Sequence, residues 1–151
     1  MATAIFKTIK KTIDIIAPKE RVWDVLTEDK YTRQWLCEFS PGSYAEASWK
    51  EGSTAKYFDG KKDGIIARIV TSKPAEELSM TFIGMTEKGN EIFDGPLVNE
   101  FKDKFETYKL KETNGVTQLD ISTDMSEEYY DTMSKSWEKA LERIKSFAEN
   151  L

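Results

Sequence analysis

Apolar residues recur along this chain with two different periods, and the switches between them outline its elements. Between Phe6 and Ile16, Ile9, Ile13 and Ile15 share one parity while Lys10, Thr12 and Asp14 take the other. That alternation predicts a strand with one buried face. Ala17-Pro18 ends it, and Pro18 suits the first position of a helix, where its missing N–H has no partner to lose. Val22, Trp23 and Leu26 give that helix an apolar face, and a second short helix is expected over Asp29–Leu36, just before Cys37. Ser43–Trp49 and Ser53–Phe58 then read as strands around Lys50-Glu51-Gly52, a turn whose glycine supplies positive φ. The polar run from Asp59 to Gly64 is the next turn; Ile65, Ala67 and Ile69 alternate after it, and Lys73-Pro74 closes that strand. Leu78, Met80 and Phe82 define another, whereas Gly84–Lys104 keeps no clean period and leaves room for a flexible loop. Strands over Phe105–Glu112 and Val116–Thr123 flank Asn114-Gly115, the strongest short-range hairpin signal.

From Asp124 to Leu151 the period becomes helical. Tyr130, Met133, Trp137, Leu141, Ile144, Phe147, Ala148 and Leu151 recur at steps of three and four and form a continuous apolar stripe. Asp124 or Ser126 is placed to cap this helix, and Glu127-Glu128 puts negative charge in its first turn, where the helix dipole favours it. Packing against a sheet is the ordinary use of such a stripe. The open question is whether that packing is complete or leaves a cavity.

Four stretches carry a resemblance to known proteins: Ala17-Pro18 through Val22-Trp23-Asp24-Val25-Leu26-Thr27 with Trp35 behind; Trp49 through Gly52 to Gly60 and Gly64; Pro74 with Leu78; and Ser136-Trp137-Glu138-Lys139-Ala140-Leu141. In this order they resemble the START-like (SRPBCC, Bet v 1-like) superfamily, which also includes polyketide cyclases. The residues look closest to its branch named for the activator of heat-shock-protein ATPase. Ser136 stands where that family often has glycine. The resemblance implies an α+β helix-grip fold. A curved antiparallel sheet of about six to seven strands would wrap a long C-terminal helix, with two short helices after the first strand and one domain over residues 1–151.

A sheet closed by one helix leaves a wedge whose filling depends on side-chain size. Tyr130, Met133, Trp137 and Leu141 would face it from the helix, and Tyr57, Ile69, Met80 and Phe82 would form the opposite wall. Trp35 and Cys37 would sit near an entrance. Flexible Met and flat aromatic side chains suit a hydrophobic or planar ligand, but they are also ordinary core fillers. Arg68 interrupts an apolar strand, and the parity of Ile65, Ala67 and Ile69 places it on the solvent side. The acidic pairs Glu76-Glu77, Glu127-Glu128 and Glu91/Asp94 fall in predicted turns, a cap and a polar loop, so they read as solvated surface.

Composition narrows the function by exclusion. The 22 Lys+Arg against 27 Asp+Glu give a formal charge of -5, and no basic cluster exceeds Lys10-Lys11 or Lys61-Lys62, so no nucleic-acid partner is expected. The absence of His removes Ser-His-Asp and Cys-His catalysis and His-based zinc sites. No metal-binding motif appears, no cofactor is expected, and no catalytic residue can be named. Cys37 is the single thiol, so it cannot form an intrachain disulfide. Lys7, Lys10 and Lys11 break the N-terminal apolar run, no stretch of ~18 apolar residues exists, and a cytoplasmic protein without a membrane span is expected.

Three functions are then compatible with the sequence. The leading one is a non-enzymatic module binding an unidentified hydrophobic small molecule. The second is a regulatory protein-interaction module of the chaperone ATPase activator type, with a protein partner. The third is a polyketide cyclase-like enzyme, which needs a polar dyad inside the pocket that parity alone does not reveal.

Overall fold

In the computed structural model, which describes residues 5–150, an antiparallel sheet curls into a half-barrel around the last helix, the helix-grip arrangement that the resemblance implies. The elements run β1 (Phe6–Ile15), α1 (Lys19–Thr27), α2 (Asp29–Leu36), β2 (Tyr44–Glu46), β3 (Thr54–Phe58), β4 (Gly64–Lys73) and β5 (Glu77–Glu87). They continue with β6 (Asn90–Ile92), α3 (Pro96–Phe101), β7 (Phe105–Thr113), β8 (Val116–Ser126) and α4 (Glu127–Glu149). The spatial order is β1-β8-β7-β5-β4-β3-β2, with β6 beside the end of β5, which makes eight strands among the described residues. Two register shifts between β4 and β5, at Ile66/Ala67 and at Ile69/Thr71, mark bulges. Bulges bend the bulged strand and increase its twist, which is what curls the sheet.

β1 buries Ile9 and Ile15 and leaves Lys10, Thr12 and Asp14 exposed, so the alternation in sequence is the alternation in space. It pairs with β8 along its whole length, from Phe6 opposite Ser126 to Ile15 opposite Thr117. α4 lies on β1 and β8 and touches α1 and α2. Its fully buried Ala140 and Ala148 allow its backbone to come close to what covers it, and Trp137, Leu141 and Ile144 complete the buried face.

Four local expectations change. Gly84–Lys104 is ordered: β5 continues to Glu87, a turn at Lys88-Gly89 leads into β6, and α3 starts with Pro96 in its first turn. The period is lost there because Gly84 interrupts the strand where Phe93 crosses it; a Cβ at Gly84 would lie 2.8 Å from the Phe93 ring and 2.7 Å from the Ile92 carbonyl oxygen. The strand expected over Ser43–Trp49 shrinks to Tyr44–Glu46, because Trp49 leaves extended geometry at φ 63 and donates its indole N–H to the Thr27 carbonyl at 2.8 Å. Neither Asp124 nor Ser126 caps α4 through its side chain. Asp124 belongs to β8, and its carboxylate accepts the Thr8 hydroxyl at 2.8 Å and the Phe105 N–H at 3.0 Å. Pro18 stands at the N-cap of α1, one residue earlier than expected.

Candidate functional site

The N-terminal half of α4 does not close fully onto the sheet, and the wedge between them is a cleft of about 430 Å³. That lies within the roughly 300–1,000 Å³ of small-molecule sites. Trp137 and Met133 of α4 form one wall, and Trp35 and Phe39 form the next. Tyr57 of β3, Phe82 of β5 and Tyr108 of β7 come from the sheet, and Leu97 and Phe101 of α3 border the mouth. Leu97 and Tyr129 are both 56% exposed, so the opening is apolar as well.

Each wall residue is held by its own element. Trp35 is 2% exposed and donates its indole N–H to the Val25 carbonyl at 2.9 Å, which ties α2 to α1 and fixes the ring as a wall rather than an entrance. Trp137 packs among three rings: Phe39 edge-on at 4.9 Å between centroids, Tyr108 at 5.9 Å and Trp35 at 6.1 Å. Tyr57 is carried by the β3–β4 hairpin, whose turn is closed by the Asp59 carboxylate accepting the N–H groups of Lys61 at 2.7 Å and Asp63 at 3.0 Å. The hairpin needs glycine at Gly64, because a Cβ there would fall 1.7 Å from the Tyr57 carbonyl oxygen.

Of the nine positions singled out in the sequence, Trp35, Tyr57, Phe82, Met133 and Trp137 line this cleft. Ile69, Met80 and Leu141 lie off the lining, buried in the core at 1%, 0% and 4% exposure. The cleft occupies only the first half of α4, so Leu141, one turn after Trp137, already sits in dry packing. Tyr130 is half-buried with the Lys7 ammonium over its ring at 5.8 Å, and Tyr129 borders the cleft instead. Cys37 is half-buried off the lining, its thiol donating to the Gln34 carbonyl. Arg68 is exposed, and Glu76, Glu91, Asp94, Glu127 and Glu128 are surface residues; Glu91 pairs with Lys56.

The polar floor is the feature that sequence reading missed. Glu106 of β7 lines the cleft; one carboxylate oxygen accepts the Tyr108 hydroxyl at 2.7 Å and the other accepts the Thr123 hydroxyl at 3.0 Å. The Tyr57 hydroxyl completes the group, with the Met80 thioether, a weak acceptor, as its partner at 3.6 Å. Burial pushes the Glu106 carboxyl above its ordinary range, and the two hydroxyl bonds bring it part of the way back. Burial, followed by the nearby Glu106 charge, pushes both phenols well up, so Tyr57 and Tyr108 stay neutral donors. The available signal was parity: Glu106, Tyr108 and Leu110 fall on one face of β7, and the latter two are buried.

Glu106 is protonated more readily in the folded than in the unfolded chain, so its contribution to stability is fully present below the ordinary carboxylate range and is lost as pH rises through its folded pKa. Glu106→Gln removes that step. The stability of the variant minus that of the wild type, from urea midpoints across the acidic range, should grow with rising pH; a difference that is flat or shrinks contradicts the placement of Glu106.

Among the described residues no helix is long and apolar enough to cross a membrane, and no group of His, Cys, Asp and Glu is arranged to hold a metal. No curated protein matches the sequence. Solved structures do. A Mesorhizobium loti protein shares 16% identity at a TM-score of 0.71, over 93% of this chain and 96% of its own. The Aha1 dimer from Colwellia psychrerythraea shares 16% identity at 0.72, over 95% of this chain and 97% of its own. A protein from the dynemicin biosynthetic locus shares 15% identity at 0.70; the match covers 95% of this chain but only 47% of that one. At these identities the likeness is one of fold. The family model described as "Activator of Hsp90 ATPase homolog 1-like protein" matches residues 16–149, and the chain therefore belongs to that family.

Proposed function

We propose that this protein is a non-enzymatic binding module for a small apolar or aromatic molecule, held in the cleft between α4 and the curled sheet. The observation that carries this reading is the cleft of about 430 Å³ with Trp35, Phe39, Phe82 and Trp137 on its walls and one carboxylate on its floor. Aromatic walls supply large contact area, and a few fixed polar groups set the orientation of a ligand. A regulatory role through protein contact is the alternative that the family description offers, and the concave apolar site favours the small molecule. Glu106 beside Tyr108 is the polar pair that a cyclase-like enzyme would need, with Glu106 as the acid or base. Conversion of a bound polyketide-type aromatic substrate, followed by mass spectrometry, would establish that reading over simple binding.

The binding reading is tested by filling the cleft. Met133 lines it one turn before Trp137 and is half-buried. In Met133→Trp the indole should occupy empty volume and gain contacts, leaving stability equal or higher while binding is lost. Binding is read by titrating a panel of steroidal, fatty and flat aromatic compounds against tryptophan fluorescence and melting temperature, since a ligand of the native state raises the latter by mass action. Destabilisation by more than about 1 kcal/mol, the low end of overpacking costs, means the wedge was already filled at Met133. A panel that includes neutral, anionic and cationic members and gives no response at all rules out the binding module.

A further inference from the structure

The charged residues that border the cleft are all acids, Asp59, Asp63, Glu100, Glu106 and Asp124, and among the described residues no Lys or Arg borders it. The Asp59 and Asp63 carboxylates serve the turns at Lys61 and Lys88, and that of Asp124 meets Thr8 on the outer face of the sheet, which leaves Glu106 as the carboxylate on the floor. None of the five is ion-paired with a described Lys or Arg, although seven other carboxylates of the chain are. Four of them have neutral donors as partners: backbone N–H groups for Asp59 and Asp63, the Thr8 hydroxyl and Phe105 N–H for Asp124, and the Thr123 and Tyr108 hydroxyls for Glu106. Two basic side chains lie over rings of the lining without lining the cleft themselves. Arg33 lies over the Tyr44 ring at 4.8 Å and is held by Asp29 at 2.7 Å, and Lys104 lies over the Phe6 ring at 5.0 Å.

A carboxylate withdrawn from water without a counter-charge is costly unless something supplies that charge. Glu106 uses one lone pair on each oxygen for its two hydroxyl donors, and a carboxylate offers roughly four acceptor positions. The Tyr57, Tyr108 and Trp137 rings line the same cleft, Tyr108 bonded to Glu106 and Trp137 5.9 Å from Tyr108 between centroids, and aromatic faces attract cations. Where Glu106 is ionised, a ligand carboxylate at this place would meet it as a like charge, and a neutral ligand would leave it uncompensated.

Resting on the binding reading above, we infer that the cleft takes an organic cation: an apolar, preferably aromatic, molecule with an ammonium group, the ammonium donating to Glu106 inside the Tyr57–Tyr108–Trp137 rings. Selection by charge then separates this ligand class from fatty acids and other apolar anions of the same size.

Three probes that differ only in their head group test this: naphthylmethylamine, naphthylmethanol and naphthoate, titrated by calorimetry into the full chain at neutral pH and low salt. The amine is expected to bind about tenfold or more tighter than the alcohol, and the carboxylate more weakly than either. In Glu106→Gln the preference for amine over alcohol should collapse. The wild-type ranking stands by itself if that variant does not fold. Equal affinity of amine and alcohol, or tighter binding of naphthoate, overturns the cation assignment and leaves the binding module standing. If none of the three binds while the steroidal and fatty compounds do, the cation assignment also falls. If nothing binds at all, the binding module falls and takes the assignment with it.

Discussion

A chain ending at Met125 is expected to show no cooperative thermal transition. The deletion removes α4, which buries Trp137, Leu141 and Ile144 as well as Ala140 and Ala148. Three large side chains at about 1.5–3 kcal/mol each already amount to much of the roughly 5–15 kcal/mol by which a native domain is stable. The loss is larger than that sum, because α4 also covers the inward faces of β1 and β8 and the contact faces of α1 and α2. Ile9, Ile15, Leu119 and Ile121, each no more than 2% exposed in the intact protein, belong to the core that this helix completes. Differential scanning calorimetry checks it: a truncated chain that melts in one sharp transition near the full-length temperature would show that the sheet folds without its helix.

Trp137→Ala is expected to cost about 3–5 kcal/mol, the range for deleting a buried Trp, which for a chain of this size lowers the melting temperature by roughly 6–20 °C. The indole is 3% exposed and is the shared neighbour of Phe39, Tyr108 and Trp35, so its removal strips contacts from three rings together. Collapse to fill the gap is hindered because Trp35 is pinned by its bond to Val25 and Tyr108 by its bond to Glu106. The enlarged cleft should also bind flat aromatic probes more weakly, since one of its walls is gone. A change in urea midpoint worth less than about 1 kcal/mol, outside the range for a buried Trp, would mean that these rings are not a packed unit.

Some parts of this molecule are legible in one dimension. Ile9, Ile13 and Ile15 alternate with Lys10, Thr12 and Asp14 because β1 is an edge strand with one face on the core and one in water. The α4 stripe and the Asn114-Gly115 hairpin are local patterns too, fixed by helix period and by a turn that needs positive φ at both residues. The segment after Gly84 was not legible, because glycine and a crossing aromatic ring replace the alternation that would mark a strand.

The aromatic walls could be picked out as residue types, and Trp35, Tyr57, Phe82, Met133 and Trp137 do meet around one space. Periodicity shows which face of a helix is apolar, but not where along that face the packing is dense and where it leaves a void. That depends on the volumes of side chains arriving from distant strands. Hence Leu141, Met80 and Ile69 share the pattern of the wall residues and lie sealed in the core. The same dependence hid Glu106. In sequence it is one more charge beside Phe105. The chain itself determined the sheet, the helix that it grips and the supply of aromatic side chains. Only the curl of that sheet, which brings β3 and β7 to face one space, decided that a carboxylate would stand on the floor of the cleft, because desolvation is set by neighbours far away in sequence.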